Sequence, residues 1–157
     1  MSNQYRTQPI QDFIKHNNDF AIIGHEEPDG DCVGSQLALA HFLLRMGKQA
    51  VPYSAGPYLR PEVLDYKEEL SAGPLVEAQA VIILDCSTRE RIGYFSDQIA
   101  DLPIAVIDHH ASGDPFGDIK YIDPKAPSVT YLIQQLIEES GEKPDQYEAE
   151  LLFFGLC

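Results

Sequence analysis

The stretch DFAIIGHEEPDGDCVGSQLALAHFLLRM (residues 19–46) passes from a short apolar run through a charged turn into a long apolar segment. The run at 19–25 predicts a buried strand, and the helix-favouring residues from Cys32 to Met46 predict a helix that stops at Gly47. The turn between them places His25 among several carboxylates. Because like charges repel at such short separations, this turn is either a solvated polar loop or a site that binds a cation.

The rest of the chain repeats this alternation of short strands and helices. Continuous apolar runs are typical of strands that are covered on both faces, and Pro52 favours an edge position for one of them. The pattern predicts an α/β fold: a doubly wound, Rossmann-like, mainly parallel sheet with helices on both faces. The further predicted strands are 49–54, 80–87, 104–110 and 119–123, and the further helices are 10–16, 61–70, 89–95, 128–141 and a helix or helix–strand unit at 145–157.

Composition narrows the class of protein. The chain has 157 residues, enough for one compact domain, and no apolar run reaches the length of a membrane span. Residues 1–12 show no signal-peptide pattern. Cysteines at 32, 86 and 157 form neither a CxxC pair nor a disulfide framework, so we expect a cytoplasmic location.

The charge balance bears on the partners. The chain has 25 acidic and 11 basic residues, a formal net charge of −14, which argues against nucleic-acid binding through a broad basic surface. A substrate that carries phosphate would need positive charge from elsewhere, and bound metal ions are one source. Acidity alone, however, is also common in proteins that are simply soluble.

Three of the predicted strands end in side chains that bind metals. In an open parallel sheet, ligands bind beyond the carboxyl ends of the strands, so we expect these side chains to meet at one edge. Carboxylate and imidazole ligands together favour Mn²⁺, Fe²⁺, Zn²⁺ or Co²⁺ over a pure Mg²⁺ or Ca²⁺ site. The side chains are His25, Asp29 and Asp31 after the first strand, Asp85 after the third, and Asp108, His109 and His110 after the fourth.

Single residues of these motifs also have simpler interpretations. Asp31 fits the N-cap of the following helix, and Gly30 and Gly34 fit a tight turn and close helix packing. Arg89 and Arg91 are either phosphate contacts or solvated surface residues. The metal-site interpretation is favoured because three separate strand ends deliver compatible ligands.

The motifs resemble those of the DHH phosphoesterase superfamily. HEEPDGDCVGS (25–35), ILD (83–85) and IDHH (107–110) are similar to its first three motifs, and the resemblance covers residues 20–157. With Gly30 in place, the pattern is most similar to the nano-RNase (oligoribonuclease)/pAp-phosphatase branch. Family II pyrophosphatases prefer threonine at that position.

The resemblance implies two divalent metal ions, with Mn²⁺ expected ahead of Mg²⁺, Co²⁺, Fe²⁺ and Zn²⁺. It implies that His25, Asp29 and Asp85 bind the first ion. It also implies that Asp31, His109 and the bridging carboxylate of Asp85 bind the second ion.

The resemblance further implies a hydrolase. His110 would face the scissile phosphate as a catalytic residue, and Asp108 would support the histidines. The implied reaction is two-metal, in-line attack of water on short oligoribonucleotides, giving 5′-mononucleotides, or on 3′-phosphoadenosine 5′-phosphate (pAp), giving AMP. An inorganic pyrophosphatase or exopolyphosphatase and a non-catalytic nucleotide-binding module stay open as alternatives. The expected partners are short single-stranded RNA or a nucleoside bisphosphate and no membrane, and a homodimer is compatible with the sequence.

The fourth motif of the superfamily would follow LLFFGLC (151–157). That motif is an aspartate in a Gly-Ile-x-Thr-Asp-Thr-Gly segment. The resemblance therefore implies that residues 1–157 are a DHH phosphoesterase domain that ends before the fourth motif. It also implies that the C-terminal substrate-binding domain, of the DHHA1 type, is absent, which leaves the activity of this chain by itself open.

Overall fold

A computed structural model describes residues 6–113 and 116–157. Residues 1–5, part of the amino-terminal stretch without a signal-peptide pattern, lie outside the described residues. The centre of the fold is a five-stranded sheet in the order β2-β1-β3-β4-β5, and every neighbouring pair is parallel. The α/β prediction is therefore confirmed. The strands are β1 (Asp19–Ile23), β2 (Gln49–Tyr53), β3 (Ala80–Leu84), β4 (Ile104–Asp108) and β5 (Ile119–Ile122).

Six helical segments connect and cover the strands within the described residues. The predicted helix at 61–70 is a 3₁₀ helix, because only Val63 of its nine residues is buried and packing does little to favour the α-helical turn. The segment 145–157 is a single helix, capped by Asp145. The helices are α1 (Gln8–His16), α2 (Gly30–Arg45), α3 (Val129–Glu139), α4 (Gln146–Leu156) and two 3₁₀ helices, Pro61–Glu69 and Arg89–Asp97.

Helices cover both faces of the sheet, but unequally. Along β1, Phe20 and Ile22 join a core formed with all four α-helices, while Ala21 and Ile23 join a second core on the other face. That second core is closed mainly by the 3₁₀ helix Arg89–Asp97. The strands are thus buried on both sides, which explains their continuous apolar sequences.

The strands are shorter than the sequence predicts, and most of the polar residues included in the predicted strands lie beyond them. β1 ends at Ile23 instead of residue 25, and β3 ends at Leu84 instead of residue 87. β4 ends at Asp108, so the two following histidines leave the sheet. Except for Asp108, the last residue of β4, these polar residues therefore lie in the turns beyond the carboxyl ends of the strands.

Helices α2 and α4 are in close backbone contact near this edge of the sheet. A methyl group added at Gly34 would lie 2.6 Å from the carbonyl oxygen of Leu151 and 3.2 Å from the amide nitrogen of Gly155. Gly34 is therefore needed for close helix packing, as its sequence context predicts. At Gly30 the nearest atom to such a methyl group would be in Phe154, at an ordinary 3.5 Å.

A charged cluster joins the opposite ends of the same two helices. Glu148 is fully buried and accepts hydrogen bonds from Arg45, from Nε at 2.7 Å and from Nη2 at 3.0 Å. His41 contacts the same carboxylate through Nδ1 at 3.0 Å. Because an arginine already neutralises Glu148, this cluster is structural.

We expect Gly34→Ala to destabilise the fold, because the added methyl group forces apart two packed backbones. The expected loss is about 1–3 kcal/mol of unfolding free energy. Urea denaturation in the presence of a chelator measures it without any contribution from bound metal. Gly30→Ala is the matched control and should lose no stability; equal losses in both variants would contradict the packing argument.

Candidate metal centre

The sheet brings the seven candidate side chains to one edge. β1 and β3 are neighbours although β2 lies between them in sequence, so the strand order reverses at this point, which is where doubly wound sheets bind ligands. His25 follows β1, and Asp85 directly follows β3. Asp108 is the last residue of β4, and His109 and His110 come next.

Asp85 stands at the middle of the group. Its backbone is left-handed, with φ of 57°, and its side chain is almost fully buried. Oδ2 lies 3.4 Å from Nε2 of His25, and Oδ1 lies 3.6 Å from Nε2 of His109. Oδ1 has no hydrogen-bond partner among the described residues. A buried carboxylate oxygen without a partner is costly, so this atom suits a ligand position for a cation.

His25, Asp29 and Asp85 form the first half of the centre. The carbonyl oxygen of Glu26 accepts a hydrogen bond from Nδ1 of His25 at 2.6 Å, which leaves Nε2 facing Asp85 and, at 3.8 Å, Oδ1 of Asp29. Asp29 also accepts the amide hydrogen of Cys32 at 2.9 Å and is the N-cap of α2. The N-cap interpretation of the neighbouring aspartate, Asp31, is therefore wrong.

Asp31, Asp85 and His109 form the second half. The carbonyl oxygen of Ala126 accepts from Nδ1 of His109 at 3.2 Å, so Nε2 faces Oδ2 of Asp31 at 3.5 Å. In both histidines a backbone carbonyl fixes the ring through Nδ1, and Nε2 is left to bind a metal ion.

The amino terminus of α3 holds the carboxylate of Asp31. Asp31 accepts amide hydrogens from Val129 at 3.0 Å and from Thr130 at 2.9 Å. These two amides are among the groups that a helix leaves unpaired at its start. Asp31 is thus fixed by a segment about a hundred residues away in sequence, which the local motif does not reveal.

Asp108 holds the ring of His110 but contacts only the backbone of His109. It is fully buried, and its Oδ1 accepts from Nδ1 of His110 at 2.6 Å and from the backbone amide of His109 at 2.8 Å. The ring of His109 is held by Ala126 instead, because its Nδ1 faces that loop. The expectation that Asp108 orients both rings is therefore corrected. The side chain of His110 is 44% exposed and lines the cavity beside the centre.

The residues present fit two divalent cations. The four N···O separations at Asp85, Asp29 and Asp31 range from 3.4 to 3.8 Å, longer than hydrogen bonds. Metal bonds of about 2.1 Å place neighbouring ligand atoms about 3.0–3.4 Å apart in octahedral or tetrahedral coordination. A small contraction of these groups would therefore suit an ion in each half, and the mixed imidazole and carboxylate set suits Mn²⁺, Fe²⁺, Co²⁺ or Zn²⁺.

Protons compete with metal ions for the same ligand atoms. Burial and the nearby charge of Asp85 raise the pKa of Asp31 to about 6. The adjacent carboxylate of Asp85 raises the pKa of His109 to about 9, although burial opposes it. Burial alone would lower the pKa of His25, but the facing carboxylates of Asp29 and Asp85 outweigh it, so that the net shift is strongly upward.

A cavity of about 610 Å³ opens beside the centre, and sequence analysis missed part of its wall. Arg60, Glu62 and Phe154 line it together with the metal-binding candidates. The sequence does contain a signal for Arg60. This residue lies in a Gly- and Pro-containing loop that follows the carboxyl end of β2, at the same sheet edge.

The two arginines considered as phosphate contacts lie elsewhere. Arg89 donates to the hydroxyl of Ser96 at 3.1 Å and to its carbonyl oxygen at 2.8 Å, so its guanidinium is already engaged. Arg91 lines a separate cavity with Glu26 and Glu27. Neither residue lines the cavity of the metal centre.

Sequence comparisons connect this geometry to known proteins. The family model described as "DHH family, N-terminal domain" matches residues 19–156. The bifunctional oligoribonuclease and PAP phosphatase NrnA of Bacillus subtilis (strain 168) is 30% identical over 137 residues, which are 84% of this chain and 43% of that protein. The chain spans somewhat under half the length of the first curated relatives that it matches.

Solved structures share the fold. An exopolyphosphatase-related protein from Bacteroides fragilis has a TM-score of 0.86 at 22% identity, covering 99% of this chain and 51% of that one. An exonuclease, RecJ bound to manganese, has a TM-score of 0.58 at 15% identity, covering 97% and 41%. At these identities the likeness shows the fold alone. Within residues 6–113 and 116–157, no helix is both long enough and apolar enough to cross a bilayer.

We expect Mn²⁺ binding to release protons, since Asp31 and His109 must lose theirs to act as ligands. Asp31 keeps its proton at pH values below its pKa of about 6, and His109 keeps its second proton at pH values below its pKa of about 9. The apparent affinity for Mn²⁺ should therefore rise with pH across this range. Calorimetric titrations in buffers of different ionisation enthalpy count the protons released. An affinity that does not change with pH would contradict the assignment of these two ligands.

Proposed function

Because this chain belongs to the DHH family, whose N-terminal domain it matches over residues 19–156, we propose that it is a metal-dependent phosphoesterase. The proposed substrates are short single-stranded oligoribonucleotides, hydrolysed to 5′-mononucleotides, and pAp, hydrolysed to AMP. The proposed cofactors are two divalent ions with Mn²⁺ preferred, which the manganese in the structurally similar RecJ supports. Since the chain spans under half of its relatives' length, this activity is proposed for the protein that contains these residues.

One observation carries the proposal: a single buried carboxylate faces two separate sets of ligands. Asp85 presents one oxygen to His25 and the other to His109. A shared carboxylate between two such sets is the arrangement needed to keep two cations close together. Paired cations of this kind are used for in-line displacement at phosphorus.

The cavity supports a nucleotide substrate over pyrophosphate. Its volume of about 610 Å³ is within the usual range for sites that enclose small organic ligands. Phe154, which packs against Tyr66 with ring centroids 4.9 Å apart, offers an aromatic surface beside the centre. Nucleobases stack on such surfaces, whereas pyrophosphate has no apolar part that would use one.

Different residues of the chain have different roles in the proposed reaction. When bound, the two ions supply an activated water and offset the charge on the phosphate oxygens. The carbonyls of Glu26 and Ala126 accept the Nδ1 hydrogens of His25 and His109, so Nε2 of each ring is aimed at the centre and can act as a ligand once it has lost its proton. His110 donates its Nδ1 hydrogen to Asp108, so in the imidazolium form its Nε2 carries the proton that passes to the leaving oxygen.

The proposed location is the cytoplasm. Cys32 and Cys86 are buried and unpaired, and Cys157 is exposed and unpaired. Free thiols of this kind are typical of a reducing compartment.

Hydrolysis assays test the proposal directly. The 157-residue chain and the longest available protein that contains it are incubated with Mn²⁺ and with pAp, an RNA ladder of two to five nucleotides, or pyrophosphate. We expect turnover of pAp and short RNA. Cleavage of pyrophosphate alone would replace the proposal by a pyrophosphatase, and no cleavage with two bound metals would favour a nucleotide-binding module.

Asp85→Asn should remove both metal binding and activity, because it weakens both ligand sets at once. We expect the metal stoichiometry to fall from two to one or none, and kcat/KM to fall by more than about 100-fold. Inductively coupled plasma mass spectrometry measures the stoichiometry. Asp101→Asn, an exposed aspartate, is the control and should retain both properties.

His110→Gln should lower kcat while both ions stay bound. Its Nε2 is assigned to proton transfer and not to metal binding, so we expect a loss of about 10²- to 10⁴-fold in kcat. Steady-state kinetics and metal analysis on the same sample separate the two effects. Loss of a metal ion in this variant would instead make His110 a ligand.

A further inference from the structure

The cavity beside the metal centre is lined by acidic residues and one cationic residue. Asp29, Asp31, Asp85 and Glu62 contribute carboxylates. Among the described lining residues, Arg60 is the only arginine or lysine. Apart from the two histidines of the centre, Arg60 is therefore the positively charged side chain that the described residues offer to an anionic group of a substrate beyond the reach of the metal ions.

The guanidinium of Arg60 is free to bind an anion. Within the described part of the chain it makes no hydrogen bond and no ion pair, whereas the guanidinium groups of Arg6 and Arg45 are engaged by Asp123 and Glu148. It is close enough to the centre for its charge to contribute to the lowered pKa of Asp29. Guanidinium groups bind phosphate through two parallel hydrogen bonds, which gives orientation as well as affinity.

The backbone holds Arg60 at this place. It is the N-cap of the 3₁₀ helix Pro61–Glu69, and its carbonyl oxygen accepts the amide hydrogen of Val63 at 3.3 Å. The side chain of Val63 is fully buried in the larger core. Pro61 further restricts the residue before it. The base of the arginine side chain is therefore fixed, although its tip is exposed.

The two proposed substrates share one chemical feature that needs such a group. In pAp and in a 5′-phosphorylated dinucleotide, water attacks phosphorus and the bond from phosphorus to O3′ breaks. In both reactions the leaving group is a nucleoside that carries its own 5′-phosphate and takes up a proton on O3′. The metal ions would hold the phosphate that is attacked, which leaves the 5′-phosphate of the leaving nucleotide to a positively charged group elsewhere in the cavity.

We infer that Arg60 binds the 5′-phosphate of the leaving nucleotide and so selects substrates that carry a second phosphate. This inference rests on the proposed function and adds a specificity-determining residue to it. Arg60 acts on affinity and orientation, while the bond-breaking step stays with the metal centre and His110. The preferred substrates are nucleoside 3′,5′-bisphosphates and short RNA with a 5′-phosphate.

Matched substrates with and without the 5′-phosphate test the inference. For the wild type, kcat/KM should be higher for pAp than for 3′-AMP, and higher for a 5′-phosphorylated dinucleotide than for the same dinucleotide with a 5′-hydroxyl. In Arg60→Ala we expect KM for the phosphorylated member of each pair to rise about 10- to 100-fold, with kcat little changed. The unphosphorylated members should change less than about twofold, and Arg60→Lys should restore part of the loss.

Two further variants control for general charge effects. Lys67→Ala removes a positive charge from the same 3₁₀ helix, away from the cavity lining. It should leave KM unchanged for the phosphorylated and the unphosphorylated member of each substrate pair. Glu62→Gln removes a carboxylate from the lining and should lower KM for the phosphorylated substrates. Equilibrium dialysis of AMP and adenosine gives a readout without turnover: Arg60→Ala should weaken binding of AMP and leave that of adenosine unchanged.

The outcomes distinguish a failure of the role of Arg60 from a failure of the proposed phosphoesterase activity. Hydrolysis of pAp and 3′-AMP with the same KM by wild type and Arg60→Ala would overturn the role of Arg60 and leave the phosphoesterase standing. An equal rise in KM for all substrates would assign Arg60 to general packing of the cavity and also overturn the inference. No hydrolysis of any nucleotide by the wild type would overturn the proposed function and this inference with it.

Discussion

The burial of Asp85 is the constraint on which the candidate site depends. The residue follows the central strand of the sheet, and its amide hydrogen bonds to the carbonyl oxygen of Ile107 at 3.1 Å, so its backbone cannot move independently of β4. The left-handed turn at this residue then directs the side chain between two histidines. A carboxylate held there at the cost of desolvation and an unsatisfied oxygen is poorly explained by stability alone. It is well explained if cations offset its charge.

Much of this arrangement could be predicted from the sequence. Continuous apolar runs identified the strands, because strands buried on both faces need such runs. The seven candidate residues were found because parallel strands deliver their carboxyl ends to one edge, so three local motifs sufficed to predict a common site. Gly34 was likewise assigned to helix packing, and the contact with α4 accounts for it.

The remaining features depend on contacts between distant parts of the chain. The local motif does not show which of Asp29 and Asp31 caps α2, nor that the side chain of Asp31 turns toward Val129 of the distant helix α3. The ring of His109 is oriented by Ala126, in a loop that no motif marks. Arg60 lies in the cavity because a buried valine anchors the segment after it, whereas Arg89 satisfies its donors on Ser96.

The attachment of Asp31 to α3 has a consequence during synthesis of the protein. A nascent chain that has been translated only as far as the end of the DHH motif already contains all seven candidate side chains. It does not yet contain Ala126, Val129 or Thr130, which orient His109 and Asp31. The second half of the centre is therefore completed only after α3 has emerged from the ribosome and packed against the sheet. Until then the nascent chain has a cluster of acidic side chains but no organised place for a second cation.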